Sequence, residues 1–193
     1  MPLPPAQKRT HLHGRNVQFR GYSREDGLWD IEGQVTDVKT TVFVVEGERT
    51  WQPGEPIHGM SIRVTIDDHL VVQDVAVAMD HIPHPECPMA MDPMKTMIGC
   101  SMAAGWRKAI ETNLGNVKGC AHLRELLLNM GTIAFQTLPH VLSSGDPNRP
   151  ALPTGNCVAW DSDGTMIARL HPTFVGWRPD GSHLTKGAKD KAK

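Results

Sequence analysis

A strict alternation of apolar and polar residues between Met60 and Ile66 is the feature that most constrains the fold. Every second residue of this stretch is apolar, which is the period-two pattern of a β-strand with one buried face. Residues 67–69 (DDH) supply a turn, and residues 70–79 return as a segment rich in β-branched side chains. The pattern predicts an antiparallel pair of strands. His58 shares the register of the apolar residues, so we expect it on the buried face.

A second hairpin is predicted near the N-terminus, within residues 19–40. Its first strand ends at about Tyr22, residues 25–27 form the turn, and the second strand begins at Leu28. An Asp-Gly pair suits this turn because both residue types tolerate the positive φ angles that tight hairpins require.

The apolar spacing changes to a helical period at about Thr96. A first helix is predicted from there to Gly115, and a second from about Ala121 to Leu138. Residues 156–172 contain a Ser-Asp-Gly turn between two apolar stretches, which indicates a late β-hairpin. The predicted fold class is therefore α+β, an antiparallel sheet with two main helices packed on one face and a late β-hairpin.

Length and composition predict one globular domain. With 193 residues, 39% hydrophobic and 21% charged, the chain is long enough to bury a core of its own. We expect that domain over residues 9–178, with an N-terminal extension at 1–8 and a flexible C-terminal tail at 179–193. The formal net charge is −1 and no basic cluster lies inside the predicted domain, so we expect no nucleic-acid partner.

The chain carries no sequence signal for a membrane or for secretion. No apolar stretch approaches the roughly 20 residues of a membrane helix, and the N-terminus lacks an apolar signal core. We expect a cytoplasmic protein that acts on a small-molecule substrate, with homo-oligomerisation left open. Its four cysteines form no C-x-x-C pair and are expected to be reduced thiols or ligands.

The segment AMDHIPHPEC, residues 78–87, concentrates metal-binding side chains between stiffening prolines. Because a hairpin places its two outer ends side by side, we expect this segment near His58. Cys120 and His122 lie at the predicted start of the second helix and are the next candidates. Imidazole and thiolate together predict a zinc or iron site. The predicted ligands are His58, Cys87, Cys120 and His122.

Several of these side chains have a second interpretation. His81 and His84 are either further ligands or exposed loop residues, and Asp80 and Glu86 are carboxylates that can orient a ligand imidazole. The cysteines can equally be small buried residues, with His58 a hydrogen-bonded core histidine.

A metal-free site is the alternative. Cys120 with a histidine as base would be a nucleophile, whereas a histidine with Asp26, Asp30 or Asp80 would act as general acid and base. By alternation Asp30 lies on the face opposite the apolar side chains of its strand, which is also typical of a solvated face. The catalytic candidates are Cys120, His122, Asp80 and Asp30.

Three arginines of the N-terminal hairpin, Arg15, Arg20 and Arg24, can clamp a carboxylate or a phosphate. Charges on an edge strand also discourage aggregation, and the sequence leaves both roles open.

Several motifs together resemble a bacterial family of domains of unknown function. They are GYSREDGLWDIEG followed by D-x-K, GEPIHGMSIRVTID, the cysteine at 87, GCAHLRELL with AFQT, and CVAWDSDG. The resemblance covers residues 9–175. The helix start in that family usually reads G-C-T-H-L, and this chain has Ala121 in place of the threonine. The resemblance supports the domain boundaries and implies no activity.

A hairpin, a cysteine, a helix and a second helix that opens on Cys and His are similar to iron–sulfur cluster scaffold proteins of the IscU and NifU N-terminal type. That similarity implies ligand positions at His58, Cys87, Cys120 and His122. The scaffold family has a cysteine where His58 stands, and it lacks the long N-terminal hairpin.

The sequence-based hypothesis is a metal-dependent enzyme of the lyase or hydrolase type that acts on an organic small molecule. A bound ion would polarise a carbonyl or activate water beside an apolar pocket walled by methionine and tryptophan, with Asp80 or Asp30 as base. The alternatives are a non-catalytic iron–sulfur or metal carrier, and a metal-free thiol enzyme, acid–base enzyme or binding module.

Overall fold

The computed structural model describes residues 3–139, 150 and 153–178, and its four long strands form one antiparallel sheet in the order β1-β2-β5-β6. Strands β3 and β4 form a separate short hairpin. The elements are β1 (His13–Ser23), β2 (Trp29–Lys39), β3 (Phe43–Val45), β4 (Arg49–Trp51), β5 (Pro56–Ile66), β6 (Val72–His81), α1 (Trp106–Leu114), α2 (Ala121–Thr137) and α3 (Thr165–Leu170). Short 3₁₀ helices cover Cys87–Ala90, Asp92–Met97, Asn116–Lys118, Val158–Trp160 and Pro172–Phe174.

The predicted N-terminal hairpin is confirmed as β1 and β2. Its turn is closed by the backbone N–H of Arg24, which donates to the carbonyl of Leu28, and Gly27 adopts a φ of 82°. The Asp26 carboxylate accepts the N–H of Leu28 at 3.3 Å. The Asp-Gly pair therefore provides both the positive φ angle and the side-chain acceptor that the turn uses.

The predicted alternation is confirmed in β5, whose inner face contributes four buried side chains to the core. The partner strand β6 begins at Val72 and continues to His81. On β2, every second residue from position 31 to position 37 is buried. The inner-face residues of β5 and β2 are Met60, Ile62, Val64, Ile66, Ile31, Gly33, Val35 and Asp37.

Helix α2, which was predicted from Ala121 to Leu138, packs on β1, β2 and β5. It approaches closely because two glycines of the sheet face it. A Cβ atom at Gly33 would lie 3.2 Å from the sulfur of Met130, and one at Gly21 would overlap the side chain of Thr137. Helix α1 packs against α2, and the indole N–H of Trp106 donates to the carbonyl of Leu127 at 2.7 Å.

The first helix begins ten residues later than predicted. Residues 92–97 form a 3₁₀ helix, and α1 starts at Trp106 because two glycines interrupt the chain between them: Gly99 has φ 83° and Gly105 has φ 92°. The N–H of Gly99 and the carbonyl of Cys100 bond to Val72 at the start of β6 instead of continuing a helix. Three methionines of this region are fully buried in the core: Met94, Met97 and Met102.

The chain divides into two compact units, residues 1–137 and 138–193. The α+β class and the antiparallel sheet are confirmed in the first unit, but the predicted late β-hairpin at 156–172 is wrong. A 3₁₀ helix there leads into a turn, whose N–H at Gly164 donates to the carbonyl of Asp161, and α3 follows. The Met-Ile-Ala-Arg-Leu segment after that turn is rich in residues that favour helix.

The predicted domain limits of 9–178 remain a prediction. Residues 3–12 lie before β1 without regular structure, and the predicted tail from 179 falls outside the described residues. Among the described helices, none combines the length and apolar character needed to cross a bilayer.

Candidate functional site

Three polar side chains form a row across the inner face of the sheet. Arg15 on β1 pairs in register with Asp37 on β2, and Asp37 pairs with His58 on β5. The row continues the buried series of β2, so a carboxylate occupies the position where the apolar pattern would place another core side chain.

The first turn of α2 brings two more polar side chains onto this row. His122 and Glu125 are three residues apart and therefore share one helix face. Glu125 accepts a hydrogen bond from Arg15 Nη1 at 2.6 Å, and His122 Nε2 lies 3.6 Å from Asp37 Oδ2. The rings of His122 and His58 have their centroids 4.0 Å apart.

Asp37 is the centre of the cluster, with 2% of its side chain exposed. Arg15 binds it as a fork, with Nε donating to Oδ1 and Nη2 to Oδ2, both at 2.8 Å. His13 Nε2 lies 3.0 Å from Oδ1, and His58 Nδ1 lies 3.1 Å from Oδ2. Burial alone would raise the pKa of Asp37, but the hydrogen bonds from Arg15 and His13 and the charge of Arg15 outweigh it and hold that pKa well below its usual range.

The two imidazoles beside Asp37 shift in opposite directions. Burial lowers the pKa of His58, and the neighbouring His122 lowers it further against the opposing effect of Asp37. The hydrogen bond with Cys120 raises the pKa of His122 despite its burial. Two rings in contact therefore favour one charged and one neutral imidazole.

Cys120 lies immediately before α2 and extends the cluster. Its Sγ is 3.8 Å from His122 Nδ1 and 3.9 Å from the sulfur of Met60. Burial alone would raise the pKa of this thiol, but the hydrogen bond with His122 and the backbone N–H groups of Leu123 and His122 lower it. Cys120 is thus hydrogen-bonded to His122, whose other nitrogen lies 3.6 Å from Asp37.

Within this cluster, Asp37, His58 and His122 can share one metal ion, because one ligand atom of each lies within 4.8 Å of the others. Two imidazoles and one carboxylate are a common ligand set for zinc and for non-haem iron. Solvent reaches the site from one side, since 18% of the His58 side chain and 22% of the His122 side chain are exposed.

The structure brings together His58, Cys120 and His122 of the four predicted metal ligands, although only the two histidines belong to the ligand group. The fourth, Cys87, begins a 3₁₀ helix after β6 and is not part of the ligand group. His81 lies over Gly59, and His84 lies 3.6 Å from Glu48.

The predicted catalytic carboxylates lie elsewhere. Asp30 is on the outer face of β2, where it accepts a 2.6 Å hydrogen bond from Thr65. Asp80 is exposed at an irregularity of β6, between Met79 and His81. A surface groove of about 250 Å³ also lies on the outer face, lined among others by Arg20, Glu32 and Arg63.

Sequence reasoning assigned no role to Asp37, His13 or Glu125. Asp37 had a readable signal, because it is the acidic member of a period-two apolar series on β2. A carboxylate clamp was one of the two roles left open for Arg15, and the carboxylate that it binds is Asp37 of the same chain. His13 and Glu125 had no such signal, since their partners are 24 and 110 residues away.

Comparison with known proteins gives one match. A model of the family described as "Protein of unknown function (DUF2889)" matches residues 13–136, which include the whole cluster. No curated protein and no solved structure matches significantly. The predicted resemblance to a family of unknown function is confirmed, whereas a bacterial origin and a similarity to iron–sulfur scaffolds remain predictions.

Proposed function

The chain belongs to the DUF2889 family, and we propose that it binds one divalent transition-metal ion, Zn²⁺ or Fe²⁺, through Asp37, His58 and His122. The bound ion would serve a reaction on a small organic substrate in the cytoplasm. The observation that carries the proposal is the convergence of one carboxylate and two imidazoles from three separate elements within 4.8 Å.

The distances within the group suit a shared ion. Ligand atoms about 2.1 Å from a tetrahedral zinc ion are roughly 3.4 Å from one another. Asp37 Oδ2 lies 3.1 Å from His58 Nδ1 and 3.6 Å from His122 Nε2, so both separations fall close to that value. The ligand atoms of His58 and His122 also lie within 4.8 Å of each other, so small side-chain adjustments would let all three ligands reach one ion.

The arginine beside the group limits how Asp37 can bind an ion. Because the fork of Arg15 occupies both carboxylate oxygens, Asp37 offers an ion a single lone pair at Oδ2. The positive charge of Arg15 opposes a cation, and Glu125, which pairs with Arg15, offsets part of that charge. The arrangement favours a carboxylate that binds through one oxygen.

A three-ligand site leaves coordination positions for substrate or water. When bound, the ion would supply Lewis-acid chemistry, by polarising a carbonyl group or by lowering the pKa of a bound water. The protein residues hold the ligand set on rigid elements, since two ligands come from adjacent strands and the third from the first turn of α2.

The second candidate function is a metal-free thiol enzyme. It is favoured by Cys120 Sγ lying 3.8 Å from His122 Nδ1, with Asp37 beyond the other nitrogen of the ring. The iron–sulfur carrier has less support, because the ligand group contains no cysteine.

Metal titration of untagged, chelator-stripped protein tests the proposal. We expect one equivalent of Zn²⁺, or of Fe²⁺ without oxygen, to bind by calorimetry and elemental analysis. His58→Ala and His122→Ala should each weaken binding at least tenfold. His84→Ala is the matched control, since that histidine lies outside the group, and it should bind like the wild type.

Two results would contradict the proposed metal site. One is the absence of stoichiometric binding to the folded wild type, and the other is binding unchanged in both histidine variants. In the first case, fast alkylation of Cys120 by iodoacetamide that slows in His122→Ala would favour the thiol enzyme.

A further inference from the structure

We propose that Cys120 positions His122 for the metal and is not itself a ligand of that ion. This inference rests on the proposed function and assigns a role to the one thiol of the cluster. The observation that carries it is that Cys120 Sγ faces one nitrogen of the His122 ring while an oxygen of Asp37 faces the other.

Each nitrogen of the His122 ring faces a different polar group. Nε2 faces Asp37 Oδ2 at 3.6 Å, whereas Nδ1 faces Cys120 Sγ at 3.8 Å. The two nitrogens of an imidazole direct their lone pairs to different sides of the ring. An ion held by Nε2 together with Asp37 and His58 is therefore on the side of the ring away from the sulfur.

The distances also separate Cys120 from the ligand group. Its sulfur is not among the atoms that lie within 4.8 Å of one another at Asp37, His58 and His122. A thiolate ligand of zinc needs a sulfur about 2.3 Å from the ion. Cys120 Sγ contacts Met60 and His122 Nδ1, and it would have to leave both to reach that distance.

The position of the sulfur gives it a clear effect on the ring. A histidine that binds metal through one nitrogen carries its proton on the other, and a hydrogen-bond acceptor there fixes both the tautomer and the ring orientation. With an ion on Nε2, the proton would be on Nδ1, and Cys120 Sγ, 3.8 Å away, would accept that N–H. The backbone at the start of α2 fixes the sulfur, because the carbonyl of Cys120 accepts the N–H of Arg124 in the first helical turn.

Cobalt and zinc titrations of three cysteine variants test this role. The Co²⁺ complex of the wild type should show no sulfur-to-cobalt charge-transfer absorption. Cys120→Ala should weaken Zn²⁺ binding by roughly 10- to 100-fold, the usual loss when a partner of a metal-bound histidine is removed. Cys120→Ser retains an acceptor oxygen and should recover most of the affinity. Cys100→Ala, a partly buried thiol outside the cluster, is the control.

The tautomer of His122 provides a readout that does not depend on any cysteine variant. In zinc-loaded wild-type protein, ¹⁵N NMR should show a protonated Nδ1 and a metal-bound Nε2. Zinc on Nδ1 would overturn the inference, and so would a charge-transfer band that disappears in Cys120→Ala or unchanged affinity in that variant. A wild type that binds no ion would overturn the proposed function first, so the two failures are distinguishable.

Discussion

The two ends of helix α2 attach to the same sheet in different ways. At its N-terminal end, His122 and Glu125 meet a row of charged and polar side chains on β1, β2 and β5. At its C-terminal end, Met130 and Thr137 pack onto Gly33 and Gly21, with no room for a Cβ atom at Gly21. One end is held by hydrogen bonds and charge, and the other by close packing.

The length of β1 explains why a single helix can make polar contacts at one end and close-packed contacts at the other. Between Glu125 and Thr137 the helix advances about 18 Å. Between their respective partners, Arg15 and Gly21, β1 advances about 20 Å. The helix therefore runs along β1. Its first turn contacts Arg15 near the start of that strand, and its last turn contacts Gly21 near the end.

The difference between the ends indicates where the fold tolerates polarity. Asp37, the buried member of the polar row, needs its partners, because an uncompensated charge in a low-dielectric site is costly. The glycine end needs only complementary shapes, so its contribution to stability depends on the volume of the side chains packed there. The side chains that could bind an ion are therefore found at the polar end.

Asp37→Ala should have the largest effect. It removes the acceptor for Arg15, His13 and His58, and breaking a buried ion pair costs roughly 3–5 kcal/mol. The free energy of unfolding from urea titration should fall by about 3 kcal/mol or more.

Asp30→Ala is the matched control on the same strand. Asp30 lies on the outer face with Thr65 and Arg24 as partners, so its loss should cost about 1 kcal/mol. Equal losses of unfolding free energy for the two variants would show that the burial of Asp37 does not increase its contribution to stability.

Gly21→Ala tests the other end of α2. The added methyl would collide with Thr137, and overpacking of this kind costs roughly 1–3 kcal/mol. Gly14→Ala on the same strand is the control, because its Cβ would meet only an ordinary contact, 3.4 Å from Val38. We expect a loss in unfolding free energy for Gly21→Ala and none for Gly14→Ala. Thr137→Ala in the same chain should restore part of that loss, and no restoration would place the strain elsewhere.

The glycine end of the fold could be predicted from sequence far better than the polar end. Alternation in β5, the Asp-Gly turn and the helical period of α2 are local signals, and each led to the correct element. Where local signals misled, the cause was also local: two glycines delayed α1, and a helix-favouring segment after Gly164 replaced the predicted hairpin.

The polar end could be predicted only in part, because its members come from distant positions. His58, Cys120 and His122 were chosen for their chemistry and their expected proximity, and they do lie together. Cys87 was chosen by the same argument, yet it lies in a 3₁₀ helix outside the ligand group. Which acid joins the histidines depends on strand register, and nothing in residue type alone distinguishes Asp37 from Asp30.

Lowering the pH should also reduce the free energy of unfolding through Asp37, by a smaller amount per pH unit than the Asp37→Ala substitution. The pKa of Asp37 is lowered in the folded state, so its stabilisation is complete above the unfolded pKa of about 3.9 and declines as pH falls below it. The lowered pKa of His58 makes stability rise with pH near neutrality, whereas the raised pKa of His122 makes it fall, so these two contributions oppose each other. Between about pH 4 and pH 2, the free energy of unfolding should decrease by up to about 1.4 kcal/mol per pH unit for this one proton. Asp37→Asn should flatten the urea-derived profile in that range and Asp30→Asn should not, because only the carboxylate beneath the start of α2 combines deep burial with several cationic partners. If the stability profile of Asp37→Asn were as steep as that of the wild type, the acid sensitivity would come from other carboxylates. The N-terminal end of α2 would then not be held by the charge of Asp37.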